Sequence, residues 1–354
     1  MKKIIILTSI FLLLFTILNR VETSEKYTEI DGIKYAITVD GHQAPLFPVG
    51  QYKADVNCTN ANGYFDNRES KVIAKNITGN VTCNTTFNSI TSGDFFNNYI
   101  INLNNVTQGD GKVVSENGYR YEGKDPNNYV WFNNELWRII GVFGQESHGI
   151  VNTNLVKIIR RTTIPSIGLS DDWVGSKLNT VLNGAYYNAT IDDTNCNGVS
   201  SPPICDFRLK GIQEKYRDMV ENVTWFLGGP ASTGYTPDNI YSYERNNDAV
   251  YAGRSASASG KIGLMYLSDY YYAVPAENRG QENNYYEHFT NNWLESCNDQ
   301  TITSVSNNPD ASYMTQSGFS TGARLAIRPV LYLKSNVYRV SGSGSLIDPY
   351  IIGM

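Results

Sequence analysis

The first strong pattern along the chain is an uncharged, mainly apolar run over residues 4–18, which directly follows Lys2 and Lys3. As a helix this run would span roughly 22 Å, which is short against the roughly 30 Å of a bilayer's hydrocarbon core. Lysines followed by such a run are typical of a secretory signal, and they favour a body outside the membrane. Residues 1–24 are therefore predicted to be either a cleaved signal peptide or an uncleaved membrane anchor.

Residues 25–90 contain short stretches in which apolar and polar positions alternate, as they do in half-buried strands. The stretches are residues 33–39, 50–58, 71–77 and 80–87. Asp40-Gly41 adds a turn signal. The pattern predicts a small antiparallel β-sandwich in which Cys58 and Cys83 lie on different strands and join the two sheets.

Residues 91–127 lack sustained periodicity and are predicted to be a connector that ends in an edge strand, with residues 95–103 as a candidate short helix. Residues 129–143 then predict a hairpin of two aromatic-rich strands around an Asn-Asn-Glu turn. Further strands are expected at 155–160, 261–267, 326–334 and 349–352, and helices at 172–186 and about 209–222. The predicted fold class is α+β, with the sandwich followed by a mixed domain of hairpins and two helices over residues 128–354.

Composition supports a folded, extracellular type of chain. The 354 residues are enough for two domains, and 41% hydrophobic residues are enough for a core. Only 18% of residues are charged, so amides, hydroxyls and tyrosines make the surface polar. The net charge of −5, without a basic cluster beyond residues 157–161, argues against a nucleic-acid partner.

Five cysteines are spread along the chain, and export would permit disulfides. We expect Cys58 to pair with Cys83 and Cys196 with Cys205, which leaves Cys297 over; five reduced, buried thiols are the alternative. There is no Cys-x-x-Cys spacing, so neither a zinc knuckle nor a thioredoxin-type site is supported.

Several of these segments together resemble an uncharacterised cell-surface protein family of Gram-positive bacteria. The matching segments are residues 35–41 with the Cys58 and Cys83 module, 129–143, 264–270, and 327–335 with the Gly-Ser tail that follows. The resemblance implies a C-type-lectin-like C-terminal domain, in the branch that includes formylglycine-generating enzymes. That enzyme branch needs a late reactive cysteine pair, and only Cys297 lies there, so the oxidase activity is not carried over.

A run of tyrosines is the strongest candidate for a contact surface. Tyrosine supplies rigid, half-polar contact area, and such a face suits a glycan or a protein. The alternative is that these rings cover an irregular loop region. The candidate binding residues are Tyr270, Tyr271, Tyr272, Tyr285 and Tyr286.

Catalytic, metal and cofactor motifs are not apparent in the sequence. Residues 193–198 match the first half of a calcium loop, but Ile204 stands where the bidentate Glu is needed, so a polar surface loop is favoured. His42, His148 and His288 lack local partners, and no Gly-x-Ser-x-Gly elbow occurs. We predict no catalytic residues, no metal site and no cofactor.

The sequence thus favours an exported, extracellular or surface-displayed protein that acts by non-covalent contact with an extracellular protein or glycan. If the N-terminal segment stays uncleaved, it also contacts the membrane. An extracellular enzyme, hydrolase or oxidase, on the formylglycine-generating-enzyme-like scaffold is the alternative, although we expect no enzyme. An assembly subunit that associates through an exposed sheet edge is a third possibility.

Overall fold

A computed structural model of the chain describes residues 5–6, 28–30, 33–44, 47–48, 52–66, 71–164, 167, 173–192, 205–228, 236–245, 255–278 and 327–354. It divides into two compact units: residues 1–94 with 353–354, and residues 95–352. Among the described residues the fold is mixed α/β and strand-rich, with several sheets and few, short helices.

The first unit is built from strands. They are β1 (Ile5–Ile6), β2 (Thr28–Ile30), β3 (Ile33–Val39), β4 (His42–Gln43), β5 (Tyr52–Cys58), β6 (Asn62–Asp66), β7 (Lys71–Lys75) and β8 (Thr82–Ser89), followed by a 3₁₀ turn at Ser92–Asp94. One sheet has the order β2-β3-β8-β5 with β4 on β3, and the other has the order β1-β7-β6. Val72 and Ala74 of β7 share a hydrophobic cluster with Cys83 of β8, so both sheets contribute to the core.

Two features of the first unit correct the sequence-based expectation. Strands β3 and β8 run parallel, beginning with the pair Lys34 and Thr82, so the unit is not antiparallel throughout. Alternation of apolar and polar residues decides which face a side chain takes, but not the direction of the neighbouring strand. The disulfide between Cys58 and Cys83 is confirmed, but these residues are register partners on the adjacent strands β5 and β8, so it joins strands of one sheet.

The second unit contains the remaining elements. Its helices are α1 (Phe96–Ile101), α2 (Gln145–His148), α3 (Lys177–Val181), which continues as a π-helix (Leu182–Tyr186), α4 (Glu214–Arg217), α5 (Pro237–Arg245), α6 (Leu267–Tyr272) and a 3₁₀ turn (Ala276–Asn278). Its strands are β9 (Gly109–Ser115), β10 (Tyr119–Pro126), β11 (Tyr129–Phe132), β12 (Glu135–Phe143), β13 (Leu155–Arg160), β14 (Ile191–Asp192), β15 (Cys205–Asp206), β16 (Val223–Phe226), β17 (Ser257–Gly260), β18 (Ile262–Gly263), β19 (Val330–Leu333), β20 (Tyr338–Ser341) and β21 (Tyr350–Gly353).

A nine-stranded sheet organises the second unit. Its order is β18-β19-β13-β12-β11-β21-β20, and β10 and β9 extend from β12. Every residue of the central strand β13 is buried, including Lys157 and Arg160. A strand covered on both faces normally reads as a continuous apolar run, so these two cations are exceptions.

The predicted hairpin over residues 129–143 is confirmed as β11 and β12. Asn133 and Asn134 form its turn with positive φ angles of 57° and 61°. Asparagine tolerates this left-handed conformation better than most residues, and two such residues give a turn whose twist matches the strands. A two-residue turn of this kind fits the observed register, in which Phe132 pairs with Glu135.

Residues 91–127 are not a connector in the structure. They contain α1 and the strand pair β9 and β10, which joins the large sheet through Tyr119 and Val142. Asn117 and Gly118, both with positive φ, make the turn between the two strands. The apolar stretches on either side of this turn are too short to show a sustained periodicity in the sequence.

The helix expected at 209–222 shrinks to the single turn α4. Gly211 interrupts the segment, Leu209 is 94% exposed, and Val220 bridges to Leu333 of β19, so the apolar positions do not share one helical face. The helix expected at 172–186 begins later, at Lys177. The strand expected at 261–267 ends at Gly263.

Only Ile5 and Ile6 of the predicted export segment are described, and the rest of residues 1–24 lies outside the described residues. Among the helices that the structure describes, none combines the length and the apolarity needed to cross a membrane.

Candidate functional site

An open groove of about 550 Å³ lies in the second unit, and amide and hydroxyl side chains dominate its walls. We call it the amide groove. It is lined by Asn179, Thr180, Asn183, Gly184, Tyr187, Asn188, Asn222, Ser259, Gly260 and Lys261. Lys261 carries the one formal charge among these ten described residues. The groove therefore presents neutral donors and acceptors, without a paired acid and base.

One wall of the amide groove is the helix formed by α3 and its π-helical continuation. The Ser176 side chain caps this helix, because its Oγ accepts the Asn179 backbone N–H at 3.0 Å. Leu178 and Leu182 bury the opposite face. Residues 179, 183 and 187 are spaced by four, so they follow one another on the groove side.

The other wall is the antiparallel pair of β16 and β17, in which Val223 faces Gly260. Asn222 directly precedes β16, and its Nδ2 donates to Ser259 Oγ at 2.9 Å. Trp225 Nε1 donates to the Gly260 carbonyl at 3.0 Å and supports this wall from within. The buried Trp225 side chain thus supports the polar residues of this wall from the protein interior.

Asn183 ties the two walls together. Its Oδ1 accepts the backbone N–H groups of Lys261 and Ile262 at 2.8 and 3.0 Å. Its Nδ2 donates to the Ile262 carbonyl and to Asn179 Oδ1, both at 2.9 Å. These bonds fill the hydrogen-bonding capacity of the amide, so Asn183 builds the groove and has little left to offer a ligand.

Asn188 and Asn222 are exposed and keep free capacity. Asn188 Nδ2 donates to the Gly184 carbonyl at 2.9 Å, and Asn222 Nδ2 is engaged by Ser259. Within the part of the chain that the structure describes, neither Oδ1 accepts a hydrogen bond. Each side chain is therefore oriented by one bond while its carbonyl-type oxygen stays available.

Tyr187 supplies the aromatic surface of the groove. Lys261 Nζ lies 4.9 Å from the centre of its ring, a cation–π distance, and the phenol donates to the Arg217 carbonyl at 3.3 Å. Both side chains are partly buried. A rigid ring beside a mobile ammonium group gives the groove an apolar contact and a donor at one point.

The described part of the predicted tyrosine face is buried. Tyr270, Tyr271 and Tyr272 are 1%, 3% and 1% exposed, because they lie in α6 and pack inwards. Tyr272 Oη donates to Asp238 Oδ1 at 2.5 Å. Tyr285 and Tyr286 lie outside the described residues. The described tyrosines of this run therefore serve the core and do not form a contact surface.

A buried ion cluster lies behind α6, where Asp269 serves two cations. Its Oδ2 contacts Lys157 Nζ, and its Oδ1 accepts from Arg120 Nη1 at 2.7 Å. Burial lowers the pKa of Lys157 to about 8, since one carboxylate shared by two cations compensates its charge only in part. Burial alone would raise the pKa of Asp269, but the two cations outweigh it and lower that pKa to about 2.

Aromatic rings and a second carboxylate surround this ion cluster. The Arg120 guanidinium lies 4.4 Å from the ring centre of Tyr272, and Lys157 Nζ lies 4.3 Å from that of Tyr266. Glu244 accepts from the Ser268 backbone N–H at 2.8 Å and from Ser268 Oγ at 2.5 Å, and burial raises the pKa of Glu244. The cluster is thus a closed polar core, separate from the residues of the amide groove.

The remaining candidates carry structural roles or fall outside the described residues. His148 is buried: its Nε2 lies 3.1 Å from the Phe143 carbonyl, and its Nδ1 accepts from Ile150, so burial lowers its pKa. Cys205 is disulfide-bonded. Cys196, Cys297, His288 and the calcium-like loop lie outside the described residues. Among the described residues no group of three His, Cys, Asp or Glu is placed to hold a metal.

One half of the amide groove has a recognisable pattern in the sequence. Asn179, Asn183 and Tyr187 recur every four residues opposite the apolar face of a predicted helix. The other half has none, because Asn222 and residues 259–261 come from distant segments that only the strand pair β16 and β17 brings together.

Comparison with known proteins adds no relative. No protein-family model matches the chain, and neither a curated protein nor a solved structure matches it. The resemblance to Gram-positive surface proteins therefore rests on the sequence segments named above.

Proposed function

We propose that this protein is exported, displayed at the cell surface, and binds an extracellular ligand non-covalently through the amide groove. The observation that carries the proposal is the state of Asn188 and Asn222. Each amide is held in place by one hydrogen bond and keeps an unengaged oxygen at the groove. Preoriented polar groups with spare capacity reduce the ordering cost of binding.

Two further observations support export. The apolar run after Lys2 and Lys3 has the length of a signal segment. The disulfide between Cys58 and Cys83 and the disulfide-bonded state of Cys205 suit an oxidising compartment. We further propose that the first unit is a sandwich-like module and that the second is a C-type-lectin-like scaffold, on which a groove between a helix and a strand pair serves as the binding site.

The alternative, an extracellular hydrolase or oxidase, needs an acid and a base that converge on an accessible pocket. Asp269 and Lys157, whose pKa values are both shifted, are buried against each other and do not line the amide groove. Shifted pKa values also arise in structural ion networks. The amide groove therefore supports binding better than it supports catalysis.

The test is a binding screen with the full chain against arrays of glycans and of extracellular proteins. Ligands found there are then measured with the variants Asn188→Ala and Asn222→Ala, and with Asn102→Ala as a matched control. Asn102 is an exposed asparagine at the end of α1 and is not one of the residues that line the groove.

Binding that is clearly weaker in the two groove variants and unchanged in the control is the expected result. A ligand that binds all three variants as well as the unmodified chain would place the site elsewhere. Labelling by activity probes for hydrolases, without binding to either array, would replace the proposal with the enzyme alternative.

A further inference from the structure

Building on the proposed function, we infer that the amide groove takes a neutral carbohydrate whose hydroxyl groups pair with Asn188 and Asn222. The inference concerns the chemical class of the ligand. An experiment can refute this class and still support the proposal that the groove binds a ligand. Three properties of the groove carry it: its balance of donors and acceptors, the absence of large aliphatic side chains from its lining, and its single ring.

The free hydrogen-bonding atoms of the groove include acceptors. The Oδ1 atoms of Asn188 and Asn222 accept no bond from the described residues, and the Ser259 hydroxyl accepts from Asn222 and can still donate. Each amide nitrogen also has a second N–H, and Lys261 adds a donor. A hydroxyl group both donates and accepts, so it satisfies both kinds of partner at once.

This balance argues against an anionic ligand. Carboxylate and phosphate oxygens only accept, so the two amide oxygens at the groove would face them without a hydrogen atom between. Strong anion sites use several cations or a fork of guanidinium donors, whereas the groove holds the single ammonium of Lys261. A neutral ligand fits the lining better.

The lining also argues against a peptide. Peptide recognition normally depends on pockets that bury large apolar side chains. The ten lining residues are Asn, Thr, Gly, Tyr, Ser and Lys, so their only aliphatic side-chain surface is the methyl of Thr180 and the methylene stem of Lys261, and no Val, Leu, Ile or Met is among them. A sugar needs hydrogen bonds around its rim and one flat apolar contact for its C–H face.

Tyr187 provides that flat contact. Its ring is partly exposed, and the Lys261 ammonium that lies over it at 4.9 Å is on a flexible stem. When a sugar ring approaches, Lys261 can move aside and donate to a hydroxyl. A groove of about 550 Å³ falls within the size range of small-molecule sites and holds a short oligosaccharide.

The experiment titrates the full chain with neutral oligosaccharides, uronic-acid oligosaccharides of the same length, and a pool of peptides, at low salt and at 0.5 M salt. We expect binding of a neutral oligosaccharide that changes less than twofold with salt, since no charge pair is involved. Asn188→Ala and Asn222→Ala should each weaken it about fivefold, the effect of one lost hydrogen bond. Asn102→Ala should leave it unchanged, and thermal melts should show that all variants fold.

The other outcomes separate the two proposals. Binding of uronic-acid oligosaccharides alone, weakened by salt and abolished by Lys261→Gln, would overturn the neutral class but keep the groove as a binding site. Peptide binding that depends on Asn188 and Asn222 would do the same. Neutral sugar binding that ignores both asparagines would overturn the site, and an absence of binding to all three probe classes would overturn the inference and count against the proposed function.

Discussion

Lys157 and Asp269 lie 112 residues apart in the sequence, yet their side chains are in direct contact and fully buried. Arg120, which is 149 residues from Asp269, shares the same carboxylate at 2.7 Å. The contact holds the central strand β13, strand β10 and helix α6 to one another. A single carboxylate thus anchors three elements of the second unit.

Replacement of this carboxylate should be strongly destabilising. Asp269→Asn leaves Lys157 and Arg120 buried without a counter-charge, and loss of one partner from a buried ion pair typically costs about 3–5 kcal/mol. Urea unfolding followed by tryptophan fluorescence measures this, because all five tryptophans lie beyond residue 94. Asp206→Asn is the control: it breaks an exposed pair with Arg208 and should change stability far less. Equal effects of the two substitutions would refute a special role for Asp269.

The same carboxylate predicts a loss of stability in acid. The pKa of Asp269 is lowered from its ordinary 3.8 to about 2 in the folded protein. Between these values the unfolded chain binds the proton more readily, so the stabilisation is complete above pH 4 and disappears as the pH falls towards 2. The free-energy gap between the unmodified protein and Asp269→Asn should therefore narrow by about 2 kcal/mol over this range. A gap that stays constant with pH would contradict the assignment.

The positions of strands were easier to predict from the sequence than the strands with which they pair. The hairpin of β11 and β12 was foreseen because its turn asparagines and aromatic alternation are local. Asn133 also has a tertiary role: its amide donates to the Gly211 carbonyl and accepts from the Gln213 backbone at 3.0 and 2.7 Å. Those contacts, like the parallel pairing of β3 with β8, connect distant segments and have no local pattern.

The candidate site was less predictable than the fold. The sequence predicts that tyrosines 270–272 form a contact surface. In the structure, the capping box of Tyr266 and Asp269 begins a helix there, and the ion pairs of Asp269 hold that helix against the buried ion cluster. The amide groove has the opposite character. Most of its polar side chains are asparagines with no motif in the sequence. They form a groove only because α3 packs against the strand pair β16 and β17.

Removal of the disulfide between Cys58 and Cys83 should increase local unfolding in the first unit only. Cys58 and Cys83 close a loop with a separation of 25 residues, and loss of such a bond costs about 3 kcal/mol in the chain-entropy model. In Cys58→Ala/Cys83→Ala, amides of β5 and β8 should exchange with solvent about a hundredfold faster. Amides of β12 and β13 should be unaffected, and Cys205→Ala should leave β5 and β8 unchanged. Uniform acceleration over both units would show that the bond stabilises more than its own sheet.

Gly263 lies directly against the ring of Trp225. A Cβ on Gly263 would lie 2.6 Å from two atoms of the Trp225 ring, a distance that forces a neighbour to move. Trp225 is 1% exposed and its Nε1 donates a hydrogen bond to the Gly260 carbonyl, so the ring has little room to move away. Gly263→Ala should therefore destabilise the second unit by about 1–3 kcal/mol, the usual cost of overpacking.

A matched glycine and a double-variant cycle separate this contact from a general effect of alanine. A Cβ on Gly175 meets nothing within 4 Å, so Gly175→Ala should change the free energy of unfolding by no more than about 0.5 kcal/mol. In a Trp225→Phe background the smaller ring gives way, and Gly263→Ala should cost less than it does in the unmodified protein. Since β18 continues directly from the Lys261 edge of the amide groove, the destabilised variant should also bind the groove ligand more weakly. A cost for Gly263→Ala that matches Gly175→Ala, or that persists in the Phe background, would show that the ring does not set the spacing.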